Sequence, residues 1–287
     1  MCDDDIHQGL IEDPTVSRRA FGLMTVAAAG VAGSARAAAP VVEKDVEIKT
    51  PDGTADAALY YPKGKGAWPA VLLWTDVVGL RPVFREMGKR LAADGYVVLI
   101  PNPYYRVRKA PVIDGSFNFA SPEDRAKLGP LRATVTPDGT ARDATAYIAF
   151  LDAQPQTSKK KKVGTQGYCM GGPLSFYTAG AVPGRVGAVA SFHGGGLFTD
   201  APTSPHLTLT RTKAEYLVAV ADNDDKQDPT IKDKLKAALD AAGRKSKVEV
   251  YEGAAHGWTV KGSQVYNEPA AEKAWAELLA VYKRALV

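Results

Sequence analysis

The sequence predicts an α/β fold with a mostly parallel central sheet and helices on both faces, and three features carry that expectation. Short apolar runs without polar alternation, such as Ala70-Val71-Leu72-Leu73-Trp74, read as strands covered on both faces. Segments of helical spacing separate them, and the alternation continues to the C-terminus, as in a parallel sheet joined by crossover helices. About 250 residues remain once an N-terminal leader is set aside, enough for one large core.

The leader is read from Ser17-Arg18-Arg19-Ala20-Phe21-Gly22-Leu23-Met24, followed by an Ala/Gly-rich apolar run that ends at Ala35-Arg36-Ala37. Paired arginines, a short weakly hydrophobic core and an Ala-x-Ala site make residues 1–37 a twin-arginine signal peptide, cleaved to leave a single domain over 38–287. The run is too short and too broken to span a bilayer, so no stable membrane insertion is expected. The expected partner at this end is the twin-arginine export machinery, and the expected location is periplasmic or secreted.

Cys2 leaves with the leader, and Cys169 becomes the sole cysteine. That excludes an intramolecular disulfide, a Cys-rich metal site and a Cys-x-x-Cys redox centre, and no metal or cofactor is expected. The precursor has a formal charge of +4; without the leader's three Arg and five Asp/Glu it is about +6. This mild positive charge is no nucleic-acid signature. Lys159-Lys160-Lys161-Lys162 reads as a solvated loop.

Taken in order, residues 45–61 alternate apolar and polar around Pro51-Asp52-Gly53, an edge hairpin. After the strand at 70–74, residues 82–94 place Phe84, Met87, Leu91 and Ala92 on one side of a helix, and 96–101 form a second buried strand. Residues 106–136, with Gly115, Pro122, Gly129 and Pro130, read as irregular. Asp138 or Thr140 can cap a helix carrying Ala144, Ile148 and Leu151. The strand leading to Cys169 follows, then strands at 186–193 and 216–222, a helix over 229–242, a strand at 247–251 and a terminal helix over 269–286.

The chemistry centres on Val163-Gly164-Thr165-Gln166-Gly167-Tyr168-Cys169-Met170-Gly171-Gly172. A Gly-x-nucleophile-x-Gly frame lets a strand reverse sharply into a helix, here beginning near Met170, and lifts the apex side chain clear of the sheet. Free N–H groups at the helix start favour negative charge there. An acid after a later strand and a histidine after the last one complete the order nucleophile, acid, base. Tyr216–Ala221 runs into Asp222-Asn223-Asp224-Asp225, where Asp224 is the preferred acid and Asp225 the second. Lys247–Tyr251 runs into Glu252-Gly253-Ala254-Ala255-His256-Gly257-Trp258, which makes His256 the base. His7 leaves with the leader, His206 lies in a Pro/Thr/Ser-rich loop, and His193 precedes the acid, the wrong order for the base.

These motifs resemble the dienelactone hydrolase family, a Cys-His-Asp branch with the α/β-hydrolase fold, over most of residues 45–285. The resemblance implies hydrolysis of a small ester or lactone, as by a carboxymethylenebutenolidase, through a thioester on Cys169. It implies an oxyanion hole from the backbone N–H groups of Val77 and Met170. It places Asp76, where the family usually has Glu, near the thiol, and Arg106 as one of two arginines that hold a substrate carboxylate. The second would fall at Val260, which cannot bind an anion. The same chemistry on simple esters or thioesters, and a non-catalytic binding protein on this scaffold, are the alternatives. A class I glutamine amidotransferase would want Glu where Trp258 stands.

Overall fold

The computed structural model describes residues 40–287 and the backbone of residues 10–11. The twin-arginine motif and the Ala35-Arg36-Ala37 site lie outside the described residues. Leu10–Ile11 pair antiparallel with Phe117–Asn118.

The chain opens with a hairpin of β1 (Val41–Thr50) and β2 (Gly53–Pro62), longer at both ends than the periodicity at 45–61 suggests, because pairing runs from Val41↔Pro62 to Thr50↔Gly53. There follow β3 (Ala70–Trp74), α1 (Pro82–Ala93), β4 (Val97–Pro101), α2 (Pro122–Arg132), α3 (Pro137–Ala153), β5 (Val163–Tyr168), α4 (Gly171–Ala181) and β6 (Val186–Phe192). The chain ends with β7 (Glu215–Ala221), α5 (Asp222–Gln227), α6 (Ile231–Ala241), β8 (Ser246–Tyr251) and α7 (Glu268–Ala285). The sheet order is β8-β7-β6-β5-β3-β4-β2-β1. Strands β3 to β8 are mutually parallel, and β2 joins β4 antiparallel.

Alternation of side chains across β3 shows why both faces are apolar. Ala70, Leu72 and Trp74 join the layer with α3, α4 and α6, and Val71 and Leu73 join the layer with α1 and α7. The edge strand β1 exposes Glu43, Lys44, Asp45, Glu47 and Lys49, charges that discourage pairing with another sheet.

Two expectations are corrected. The cap of α3 is neither Asp138 nor Thr140 but Thr136, whose side chain accepts from the Gly139 N–H, because Pro137 is preset for the first helical position and moves the start upstream. Within 106–136 the chain forms α2, capped by Ser121 with Pro122 at its start and Glu123 and Asp124 in its first turn. Pro130, which argued against a helix, sits near its end and removes only one intrahelical donor.

The crossovers leave β3 in opposite directions, with β4 on one side and β5 on the other. Loops leaving the C-terminal ends of β3 and β5 therefore face each other at the reversal point, where parallel sheets build ligand sites. Beneath it, Gln166 Nε2 donates to Tyr168 Oη at 2.7 Å and Tyr282 Oη donates to Gln166 Oε1 at 2.9 Å, a fully buried polar chain tying β5 to α7. Gln166→Leu leaves both hydroxyls without that amide. Since each orphaned buried group costs about 1–3 kcal/mol, urea unfolding should show a loss of about 2–5 kcal/mol. A loss below about 1 kcal/mol would show that the chain contributes little.

Candidate active site

Cys169 sits at the turn between β5 and α4 with φ of 50°, a left-handed conformation uncommon for a residue with a side chain. Contacts on either side hold it there. A Cβ on Gly167 would lie 1.8 Å from the Gly171 carbonyl oxygen, and one on Gly171 would lie 2.6 Å from the carbonyl oxygens of both Trp74 and Thr75. The Cys169 N–H donates to the Phe192 carbonyl and its own carbonyl accepts from Gly172, both at 3.0 Å. The thiol is free and half-buried.

His256 follows β8 and Asp224 lies in α5, directly after β7. The His256 Nδ1–Asp224 Oδ2 distance is 2.7 Å. The competing acids are engaged elsewhere: Asp222 pairs with Lys226 at 2.7 Å and Asp225 with Lys232 at 2.8 Å. Sequence reasoning missed two ties between the acid and base loops. Asn223 Oδ1 accepts from the His256 N–H at 2.7 Å, and the Asp222 N–H donates to the Ala254 carbonyl at 3.0 Å. An Asn flanked by Asp residues looks like a turn former, and only the folded geometry separates it from its neighbours.

The other imidazole nitrogen, Nε2, is buried and makes no hydrogen bond of standard geometry with the protein. Burial disfavours charge on this ring, but the neighbouring Cys169 sulfur and the Asp224 carboxylate outweigh burial and hold its pKa well above the usual histidine value. Cys169 thus acts on His256 electrostatically, as a thiol beside an imidazole that can exchange a proton with it. His193 lies tilted beside His256, with ring centroids 4.9 Å apart and planes at 59°. Burial and then the His256 charge push His193 well below the usual range, so it stays neutral, with Nε2 2.8 Å from Thr259 Oγ1.

The turn after β3 accounts for its backbone polar groups one by one. The Asp76 carbonyl accepts from the Gly79 N–H at 3.1 Å, the Val78 N–H donates to Asp76 Oδ1 at 3.0 Å, and the Val77 carbonyl accepts from Tyr104 Oη at 2.6 Å. Among the described residues the Val77 N–H has no protein acceptor, and neither has the Met170 N–H at the cap of α4. Two free donors on facing loops can stabilise one developing oxyanion.

Both side chains expected to contact substrate have partners within the protein. Asp76 is buried and both its oxygens are held in a fork by Arg81, at 2.6 and 2.7 Å, because the guanidinium five residues on reaches back across the turn. Arg106 is committed to Asp143 at 2.8 and 2.9 Å and to Asp52 at 2.5 Å, stitching α3 to the β1–β2 turn. Val260 is buried. An apolar cavity of about 1060 Å³ lies between α1, α7 and the 110–117 loop, behind Tyr168 and Phe192; neither Cys169, Asp224 nor His256 lines it. Among the described residues no cluster of three or more His, Cys, Asp or Glu could hold a metal ion, and no helix is long and apolar enough to cross a membrane.

Comparison with known proteins adds to this geometry. The model of the dienelactone hydrolase family matches residues 55–286. A Synechocystis protein named "putative carboxymethylenebutenolidase" is 28% identical over 228 residues, covering 78% of this chain and 89% of that protein. The carboxymethylenebutenolidase of Rhodococcus opacus is 26% identical over 259 residues, covering 88% and 96%. The crystal structure of a "putative dienelactone hydrolase" from Klebsiella pneumoniae superimposes with a TM-score of 0.72 at 20% identity, covering 85% of this chain and 99% of that one, which establishes the α/β-hydrolase fold.

Arg106 therefore tests as a structural residue. Asp143 is buried, and Arg106→Ala leaves its carboxylate without its main counter-charge, at a cost on the order of 3 kcal/mol. For a domain of this size that corresponds to a fall in Tm of about 6–12 °C. A melting curve that does not move would show the network to be idle.

Proposed function

The chain belongs to the dienelactone hydrolase family, hydrolases acting on ester and lactone bonds, and we propose that it cleaves a small ester or lactone through a triad of Cys169, His256 and Asp224. The observation that carries this reading is the 2.7 Å pair of His256 with Asp224 beside a cysteine held at a left-handed turn.

In the first half-reaction Cys169 Sγ attacks the ester carbonyl as thiolate, its proton resting on His256 Nε2. The carbonyl electron pair moves onto oxygen, which accepts the N–H groups of Val77 and Met170. The pair returns, the C–O bond breaks, and His256 gives its proton to the leaving alkoxide, leaving a thioester. In a lactone the alkoxide stays tethered to the acyl group. Water then attacks the thioester as His256 takes a proton from it, and the second tetrahedral intermediate expels the thiolate. Asp224 holds the ring through Nδ1 in both halves and stabilises the imidazolium.

The commitment of Arg106 and the aliphatic side chain at Val260 leave a carboxylate-bearing substrate without the two-arginine clamp, which favours a neutral ester or lactone. The leader motif Ser17–Met24 supports export by the twin-arginine route, with the working chain beginning near Ala38 in the periplasm or outside the cell.

Aryl esters, lactones and thioesters tested against wild type and Cys169→Ala read the proposal directly. Cys169→Ala should fold and lose nearly all turnover, and Cys169→Ser should keep little, since a hydroxyl is far harder to deprotonate. Unchanged turnover in Cys169→Ala would remove the nucleophile; a thiol reagent that altered only ligand affinity would mark a binding protein. The kcat/KM of a neutral ester should equal or exceed that of a matched anionic one, and Arg106→Ala should leave their ratio unmoved.

Asp224→Asn should lower kcat by on the order of 10^4, with small effects from Asp222→Asn and Asp225→Asn. Because burial is outweighed by Cys169 and Asp224, which raise the His256 pKa well above the usual value, its proton is held to higher pH than on a free imidazole and is lost on the alkaline side. For an alkyl ester, whose leaving group needs that proton, kcat/KM should fall as pH rises through this pKa. Asp224→Asn removes one of the two charges that raise it, so the alkaline limb should move to lower pH; a limb that stays put would exclude His256 as its origin.

A further inference from the structure

We propose that Tyr104 is a positioning residue for the oxyanion hole, its hydroxyl fixing where the Val77 N–H points and how far it lies from the Met170 N–H. The inference rests on the proposed thiol mechanism and adds a residue that does not touch the reacting atoms.

Each N–H of the hole is carried by a different loop, Val77 after β3 and Met170 after β5. Donors serve a developing charge only when held within about 0.5 Å of the productive position. Tyr104 comes from a third loop, after β4, and bridges the other two. Its ring is fully buried among Val112, Leu131, Ile113, Val135 and Met170. The hydroxyl donates to the Val77 carbonyl at 2.6 Å, and the Met170 sulfur lies 3.3 Å from the same oxygen. The base of the side chain is fixed too, because the Tyr104 N–H donates to Asn102 Oδ1 at 3.0 Å and Asn102 Nδ2 donates to Asp56 Oδ1 at 2.9 Å.

The 2.6 Å bond falls on the peptide unit next to the catalytic donor. That unit joins Val77 to Val78 and is gripped at both ends, its carbonyl by Tyr104 and its N–H by the Asp76 carboxylate, which Arg81 holds in turn. Rotation of this unit changes ψ at Val77, and the turn takes up part of that change at the preceding unit, which carries the Val77 N–H. Without the hydroxyl, the Val77 carbonyl has lost the partner that opposes this rotation. Tyr104 and Asp76 thereby brace the four-residue turn that carries the Val77 N–H.

The test uses Tyr104→Phe, which keeps the ring and removes only the hydroxyl. Loss of a whole oxyanion donor costs 10²–10³ in kcat, so a donor that is displaced but present should cost about tenfold to a hundredfold. KM for a small neutral aryl ester should stay within about twofold. Butyraldehyde adds to the thiol and places its oxygen where the tetrahedral oxyanion forms, so its inhibition constant should rise with the loss in kcat. Alkylation of Cys169 by iodoacetamide needs the thiolate but no oxyanion hole, and its rate should not change. Asp76→Ala, which removes the acceptor at the other end of the same peptide unit, should give the same loss of turnover and aldehyde affinity, covering the case in which Tyr104→Phe does not fold. Turnover and aldehyde affinity that match wild type in a folded variant overturn the proposal, as does an alkylation rate that falls in step with turnover. If complete alkylation of wild-type Cys169 leaves turnover intact, the thiol mechanism fails and this role of Tyr104 fails with it.

Discussion

Everything at this site depends on one close approach of backbone to backbone, the Gly167 α-carbon lying against the Gly171 carbonyl. A methyl group there would overlap the carbonyl oxygen at 1.8 Å, far inside contact distance, and no side-chain rearrangement relieves a clash with main chain. The approach lets β5 turn into α4 within three residues and forces Cys169 to φ of 50°. A second tight contact, of Gly171 with the carbonyls of Trp74 and Thr75, draws the turn after β3 beneath the same helix start. The left-handed strain at Cys169, of order 1–3 kcal/mol, is held by this packing, and the turn that carries Val77 is brought against the one that carries Met170.

Electrostatics then separates two neighbouring imidazoles. His193 and His256 have ring centroids 4.9 Å apart, yet one is held neutral and the other favours its proton. The difference lies in what each touches. His193 meets a hydroxyl and aromatic faces, whereas His256 meets a carboxylate on one side and a sulfur on the other. Charge on His256 further disfavours charge on His193, so one ring favours its proton and the other stays neutral.

The parts of this arrangement legible in the sequence are those that local chemistry writes in consecutive residues. Gly167-x-Cys169-x-Gly171 states the turn, and the Ala254–Trp258 run after an apolar strand places His256. Strand–helix alternation predicts the sheet because burial on both faces removes polar residues from β3 and β4. Asp224 could be preferred by its distance from the strand end, although Asp225 stood beside it until the Lys232 pair showed that carboxylate engaged. Helix α2 was hidden because Gly129 and Pro130 act as breakers mid-helix but are tolerated at its end. Tyr104, Asn223 and the Asp76–Arg81 fork were illegible for a different reason. Each acts through a partner brought close only by the fold, and nothing in a tyrosine's immediate neighbours says whose carbonyl its hydroxyl will meet. Arg106 shows the converse: the residue type suits an anion, and the three-dimensional neighbourhood supplies two carboxylates from the protein itself.

The position of β3 beside β5 has a kinetic consequence. Val71 pairs with Gly164 and Trp74 with Gly167, partners more than ninety positions apart along the chain. Hairpin β1–β2 and the β3–β4 pairing involve nearer partners, so they close smaller loops and face a lower entropic barrier. The turn after β3 and the turn that carries Cys169 are thus joined across one of the most non-local seams of the sheet. A partly folded chain that has gathered its N-terminal strands still holds these two turns apart. Competence for catalysis arrives with completion of the global topology, and no early intermediate along that route can carry it.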